Sequence, residues 1–220
     1  MAGATRAAIG RRLSIPGKSY MVRWYVVSVV SLVTPGSEEE ETEKEPLRER
    51  VDDLDGKTIG LYDNGKPAAE PLLTAVQEKL SERYPNATFD WFHVEHLNQI
   101  KNDDKQEEVK EWAQTVDTAL GAIGDCGSCT KFLAWGVELI EEGGTPGVGL
   151  IDEGFELDYQ SNAIERGRAL RYKKTPVRCE TTDLDRVREE VSEEVVDGIV
   201  DELTRPLNDK ERAGAEKVAQ

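Results

Sequence analysis

Ala119-Leu120-Gly121-Ala122-Ile123-Gly124-Asp125-Cys126-Gly127-Ser128-Cys129-Thr130 is the stretch on which the reading of this chain turns. A short apolar run ends at Gly124, and two thiols follow at CxxC spacing. From Lys131 to Glu142 apolar residues then recur nearly all round a helix, with Phe132, Leu133, Trp135, Val137, Leu139 and Ile140. The pattern predicts a strand that passes directly into a buried helix. A helix N-terminus offers unpaired N–H groups and the positive end of the macrodipole, both of which favour a thiolate over a thiol. Cys126 or Cys129 is therefore the expected reactive atom.

The same alternation extends in both directions. Thr58-Ile59-Gly60-Leu61-Tyr62 reads as a strand, followed by the polar loop Asp63-Asn64-Gly65-Lys66-Pro67. A helix follows, with Pro71 near its first turn and Leu72, Leu73, Val76 and Leu80 at helical spacing, and Tyr84-Pro85-Asn86 stops it. Thr88 to Val94 is a second strand. Asn98 to Glu111 is polar and reads as a loop leading into a surface helix with Val109, Trp112 and Val116. Ala119 to Gly124 is the third strand, Gly147 to Ile151 the fourth, and Thr175 to Arg178 the fifth. Gly143-Gly144-Thr145-Pro146 closes the helix after the thiols. Leu184, Val187, Val191, Val195, Ile199 and Leu203 form one long amphipathic seam ended by Pro206.

Strands alternating with helices predict an α/β fold of three layers, a largely parallel twisted sheet of about five strands with helices on both faces. Ligands of such sheets bind beyond the carboxyl ends of the strands. Asp63 and Asn64, Glu95 and His96, Cys126 and Cys129, Asp152 and Glu153, and Cys179 should thus meet on one rim. The expected organisation is a leader over 1–20 with Met21 as the functional start, an apolar strand (Trp24 to Val33) plus an acidic linker to residue 53, an α/β domain over 54–207, and a disordered tail over 208–220.

Of the 220 residues, 44 are acidic and 28 basic, for a net charge of −16. The first 24 residues carry five of the basic residues and no acidic one, so the remainder is more acidic still. Such a surface argues against nucleic acid and anionic membranes, which need a basic face. It suits high salt, where screening removes self-repulsion, and points to a halophilic setting. No apolar run reaches the roughly 18 residues of a membrane helix; Arg23 interrupts Tyr20 to Val33. Arg11-Arg12 precedes an apolar stretch, but no small-residue cleavage site follows it. Three cysteines do not make a disulfide scaffold, and their spacing points to redox chemistry in a reducing, cytoplasmic compartment.

No cofactor is implied. Gly65 and Gly147-Val148-Gly149 lack the spacing of a dinucleotide fingerprint, and three cysteines and two histidines supply few ligands for a closed zinc site. Asp63, Asn64, Gly65 and Lys66 are candidate substrate-binding residues, or simply a turn. Asp125 and Thr130 flank the thiols and join the candidate site. Cys179 is a lone cysteine, more often a small buried hydrophobe than a catalyst. His93 sits within a strand and reads as a sheet residue, whereas His96, in the following loop, is the better proton-transfer candidate.

Leu54-Asp55-Gly56-Lys57-Thr58-Ile59-Gly60-Leu61, running into Asp63-Asn64-Gly65-Lys66-Pro67, together with Gly124-Asp125-Cys126-Gly127-Ser128-Cys129-Thr130, resembles the UGSC family of (seleno)proteins. Members carry Sec-Gly-Ser-Cys or Cys-Gly-Ser-Cys at this place. The likeness spans about Val30 to Leu207. It implies that Cys126 holds the position of the selenocysteine and attacks, with Cys129 as the resolving thiol. The motif is also locally similar to the selenocysteine segment of the substrate-binding component of glycine and betaine reductases. The chain departs from the pattern at Arg178-Cys179-Glu180-Thr181, where a more histidine- and proline-rich turn is expected, and this leaves the proton-transfer group open.

The sequence thus predicts a thiol/disulfide redox protein acting on a small-molecule or thiol/disulfide substrate, with a homodimer as a possible assembly. A covalent thiolate catalyst acting on a small organic molecule, and a non-enzymatic redox sensor or binding protein, are the alternatives.

Overall fold

The computed structural model describes residues 14–15, 18–19, 44–178 and 180–214. The chain divides into two units, Met1–Glu40 and Glu41–Gln220. In the first, Ser14–Ile15 pairs antiparallel with Lys18–Ser19. The strand expected over Trp24 to Val33 and the acidic linker up to residue 43 lie outside the described residues.

The second unit runs β1 (Thr58–Asp63), α1 (Ala69–Arg83), β2 (Thr88–His93), α2 (Asp103–Ala113), β3 (Thr118–Gly124), α3 (Gly127–Glu142), β4 (Gly147–Asp152), α4 (Glu156–Glu165), β5 (Arg171–Thr175), α5 (Leu184–Glu190), α6 (Glu193–Thr204) and α7 (Asp209–Ala213). All five strands are parallel, in the order β2-β1-β3-β4-β5. That is a doubly wound order, whose direction reverses between β1 and β3. β3 is buried along its whole length, and β1 and β4 are buried at all but one end residue, as central parallel strands covered on both faces must be.

Two cores flank the sheet. On one face Ile59, Leu61, Leu120, Ile123, Val148 and Leu150 meet α1, α5 and α6 through Leu72, Val76, Val187, Ile199 and Leu203. On the other, Tyr62, Ala119 and Ile151 meet α2, α3 and α4 through Trp112, Leu133, Val137 and Tyr159. Gly136 lets α3 lie close to the sheet: a Cβ there would stand 2.5 Å from the Tyr62 ring.

Several boundaries differ from the sequence reading. The fifth strand is Arg171–Thr175, so Thr175 ends it rather than begins it. An edge strand tolerates the charges of Arg-Tyr-Lys-Lys that an apolar search passes over. The final seam is two helices, because Ser192 accepts a hydrogen bond from the Val195 N–H and restarts the helix as its N-cap. α4 has no counterpart in the sequence reading, since it buries only Tyr159 and Ala163 and has no run of aliphatic residues to mark it.

The ordered chain also extends beyond 54–207. Leu47 is buried, and Arg50 forms an ion pair with Glu141 at 2.7 Å in which both side chains are sealed from solvent. Past Leu207, α7 carries a capping box between Asn208 and Glu211, so residues 208–213 are not the disordered tail expected. Glu211 receives Arg171 through two nitrogens at 2.9 Å each, and Arg205 beside them.

Candidate active site at the carboxyl ends of β1 and β3

Parallel pairing brings the strand ends to one edge. Asp63 pairs in register with His93 on one side and with Ala122 on the other, and Asp152 pairs with Thr175. The β3–β4 register shifts between Ala122 and Gly124 and passes over Ile123. The Ile123 carbonyl is taken instead by the Asn64 side-chain amide at 3.0 Å, while the Asn64 backbone N–H donates to the Ala122 carbonyl at 3.0 Å. The β1–α1 loop is thereby stitched to the strand that delivers the thiols, at the point where the sheet changes direction.

Cys126 is the N-cap of α3. Its backbone is extended and its sulfur accepts a hydrogen bond from the Cys129 N–H at 3.1 Å, the place an Asp or Ser oxygen takes in most helices. The Thr130 hydroxyl and N–H both donate to the Cys126 carbonyl, at 2.7 and 2.9 Å, and lock the first turn. Cys126 and Cys129 are joined as a disulfide. The two sulfurs are unequal in access: Cys126 is half-buried, whereas Cys129 is 1% exposed.

Asp125 is buried, and among the described residues no group donates to either of its carboxylate oxygens. One of those oxygens and both sulfurs lie within 4.8 Å of one another. This is the one grouping among the described residues with the spacing of a metal site. Its sulfurs are bonded to each other, and three donors fall short of the four that a closed structural site takes.

Asp63 does not present a free carboxylate. One oxygen accepts from the Gly65 N–H at 2.8 Å and the other lies 3.1 Å from His93 Nδ1. Burial pushes the Asp63 carboxyl above its usual range, against the pull of Gly65 and His93. Gly65 is obligatory here: its φ is +78°, and a Cβ would stand 2.4 Å from the Val94 carbonyl oxygen. The His93 ring stacks on Trp91 with centroids 5.2 Å apart and remains about half exposed. With Nδ1 turned to Asp63, its Nε2 is the nitrogen left for a partner outside. The sequence alone reads this histidine as a sheet residue and favours His96 for proton transfer. The signal was present, since both residues are the last of their strands, but it depends on knowing that those strands are neighbours.

The remaining candidates are placed as follows. Asn64 is buried and faces the β1–β3 seam, Lys66 is half-buried and has no ion pair among the described residues, and Thr130 is wholly buried against Cys126. His96 is exposed and its carbonyl opens the turn Leu97–Lys101. Cys179 lies outside the described residues. A groove along β5, lined by Arg171, Lys173, Glu202 and Glu211 among others, includes none of these residues and is walled by the ion-pair network that holds α7.

No curated protein and no solved structure matches the chain. A family model, that of the UGSC family, matches residues 31–205. With the Cys-Gly-Ser-Cys segment at the head of α3 and a five-stranded parallel sheet behind it, the chain belongs to the UGSC family.

Proposed function

We propose that the protein is a thiol/disulfide redox enzyme in which Cys126 attacks and Cys129 resolves. The observation that carries the reading is the pairing of a half-buried N-cap cysteine with a sealed partner in one helical turn. A thiolate at Cys126 gains the Cys129 N–H and the helix dipole, whereas Cys129 is screened from solutes and bonded to Cys126. The Cys126 thiolate attacks one sulfur of a small disulfide, its S–S bond breaks, and the first thiol leaves with a proton. Cys129 then gives up its proton and attacks Cys126 Sγ, which expels the second thiol and closes Cys126–Cys129. The substrate gains two electrons and two protons, and a low-molecular-weight dithiol returns them to the enzyme. Such turnover belongs in a reducing, cytoplasmic setting.

The Asp63–His93 pair favours a second reading on the same frame, a covalent thiolate catalyst acting on a small electrophile. An imidazole oriented by a carboxylate, at the same sheet edge as a nucleophile, supplies the parts that activated-nucleophile enzymes use, and Lys66 would then bind the substrate. Cys129→Ser tests the attacking role of Cys126 under both readings, and turnover by the intact protein separates them. Exposed to a small aromatic disulfide, that variant should retain one half of the reagent on Cys126 as a stable mixed disulfide, and Cys126→Ser should retain none. Turnover of disulfides by the intact protein selects the first reading; adduct formation without turnover selects the second.

A further inference from the structure

Asp125 has no part in the steps above, yet its surroundings are the least expected in the site. It is 4% exposed, both oxygens are sealed from solvent, and among the described residues no N–H or O–H reaches either one. A polar group taken out of water without a donor destabilises the state that holds it. A sealed oxygen cannot meet a substrate, so the donor has to come from within the protein. The nearest groups that change with the chemistry are the sulfurs of Cys126 and Cys129, within 4.8 Å. As a disulfide they have no hydrogen to give; as thiols each carries a weak donor.

Building on the dithiol reading, we infer that Asp125 is the acceptor for the Cys129 thiol in the reduced protein, and that it tilts the Cys126–Cys129 couple toward the dithiol. Opening the disulfide takes two electrons and two protons from an external thiol pair and places an S–H on Cys129, which is buried like the carboxyl and has its sulfur within 4.8 Å of it. The orphaned acceptor is then satisfied. Closing the disulfide removes the donor and strands the oxygens again. Asp125 is thus a positioning residue that sets how readily the enzyme gives up its electrons, and the α3 N-terminus acts in the same direction by favouring a Cys126 thiolate.

The test is equilibration of the whole chain in glutathione buffers of graded ratio, with the dithiol fraction read by alkylation and mass spectrometry. Asp125→Ala should shift the equilibrium toward the disulfide by about tenfold, close to 30 mV for a two-electron couple. Asp152→Ala, at the end of β4, should not shift it. The second readout needs no variant: the reduced-minus-oxidised infrared difference spectrum of the native protein should contain a carboxyl band that moves on reduction. An Asp125→Ala curve superimposed on the native one, or a difference spectrum without a carboxyl band, overturns the inference and leaves the dithiol reading standing. A native pair that does not exchange with glutathione at all overturns both.

Discussion

The Asn64 side-chain amide donates to the Ile123 carbonyl at 3.0 Å across the seam between β1 and β3. It reaches the one residue that the β3–β4 register passes over, two positions before Asp125 and three before Cys126. The reactive turn is therefore held from the neighbouring strand as well as by its own helix. Removing the amide leaves a buried carbonyl without its donor, at a cost of roughly 1–3 kcal/mol. Asn64→Ala should lower the urea midpoint accordingly, while Asn98→Ala, on an exposed turn, should leave it unchanged.

Glu211 gives the fold an acid limit. Burial works against its charge, but Arg171, the Asn208 N–H and Arg205 outweigh it and bring its carboxyl down to about 2 from an ordinary 4.5. A carboxyl whose value is lowered on folding adds stability above its unfolded value, and that stability is lost as pH falls through the folded one. The contribution, on the order of 2–3 kcal/mol, is full above about pH 4.5 and disappears toward pH 2. Glu211→Gln should unfold more easily at pH 7 and lose less on acidification, as followed by urea melts from pH 7 to 2.5.

His93, rather than His96, should matter to exchange. If the Asp63–His93 pair supplies the proton to a departing thiol, His93→Gln should slow single turnover of an alkyl disulfide by about tenfold. It should have little effect on an aromatic disulfide, whose leaving group needs no proton. His96→Gln should behave as the native protein with both substrates. Equal slowing of the two disulfides by His93→Gln would assign the pair a structural role.

A chain with 44 acidic and 28 basic residues repels itself at low ionic strength. Exposed pairs such as Arg188 with Glu78 weaken in salt but contribute little individually. The net effect of molar potassium chloride should be a higher midpoint of thermal unfolding, by several degrees relative to 0.1 M. A midpoint that falls or stays level would count against a high-salt adaptation.

The central layers were legible because their signals are local. Apolar runs around Leu61, Leu120 and Val148 have the length and flanking turns of buried strands, and Cys126 stands where one of them meets a helix. Features that depend on neighbours were not. Arg171 to Lys174 are too polar to announce a strand until the Glu211 network and the edge position are known. Residues 44–53 read as linker because the partner of Arg50 is Glu141, on a distant helix. Thr130 and Asp125 were placed in the site by adjacency to the thiols, and the structure turns the first to the helix and the second inward. Asp63 and His93 were each noticed, but their pairing rests on strand order, which the residues alone do not state.

The central claim is that Cys126 is the activated thiol and Cys129 its sealed partner. It is tested most directly by alkylation of the reduced protein with iodoacetamide from pH 5 to 10 in high salt, with mass spectrometry reporting on each cysteine separately. The account predicts that Cys126 is labelled first, with an apparent pKa well below the roughly 8.5 of a free thiol, that Cys129 is labelled far more slowly, and that reoxidation links the two. Labelling of Cys126 and Cys129 at equal rates and only at high pH would contradict it.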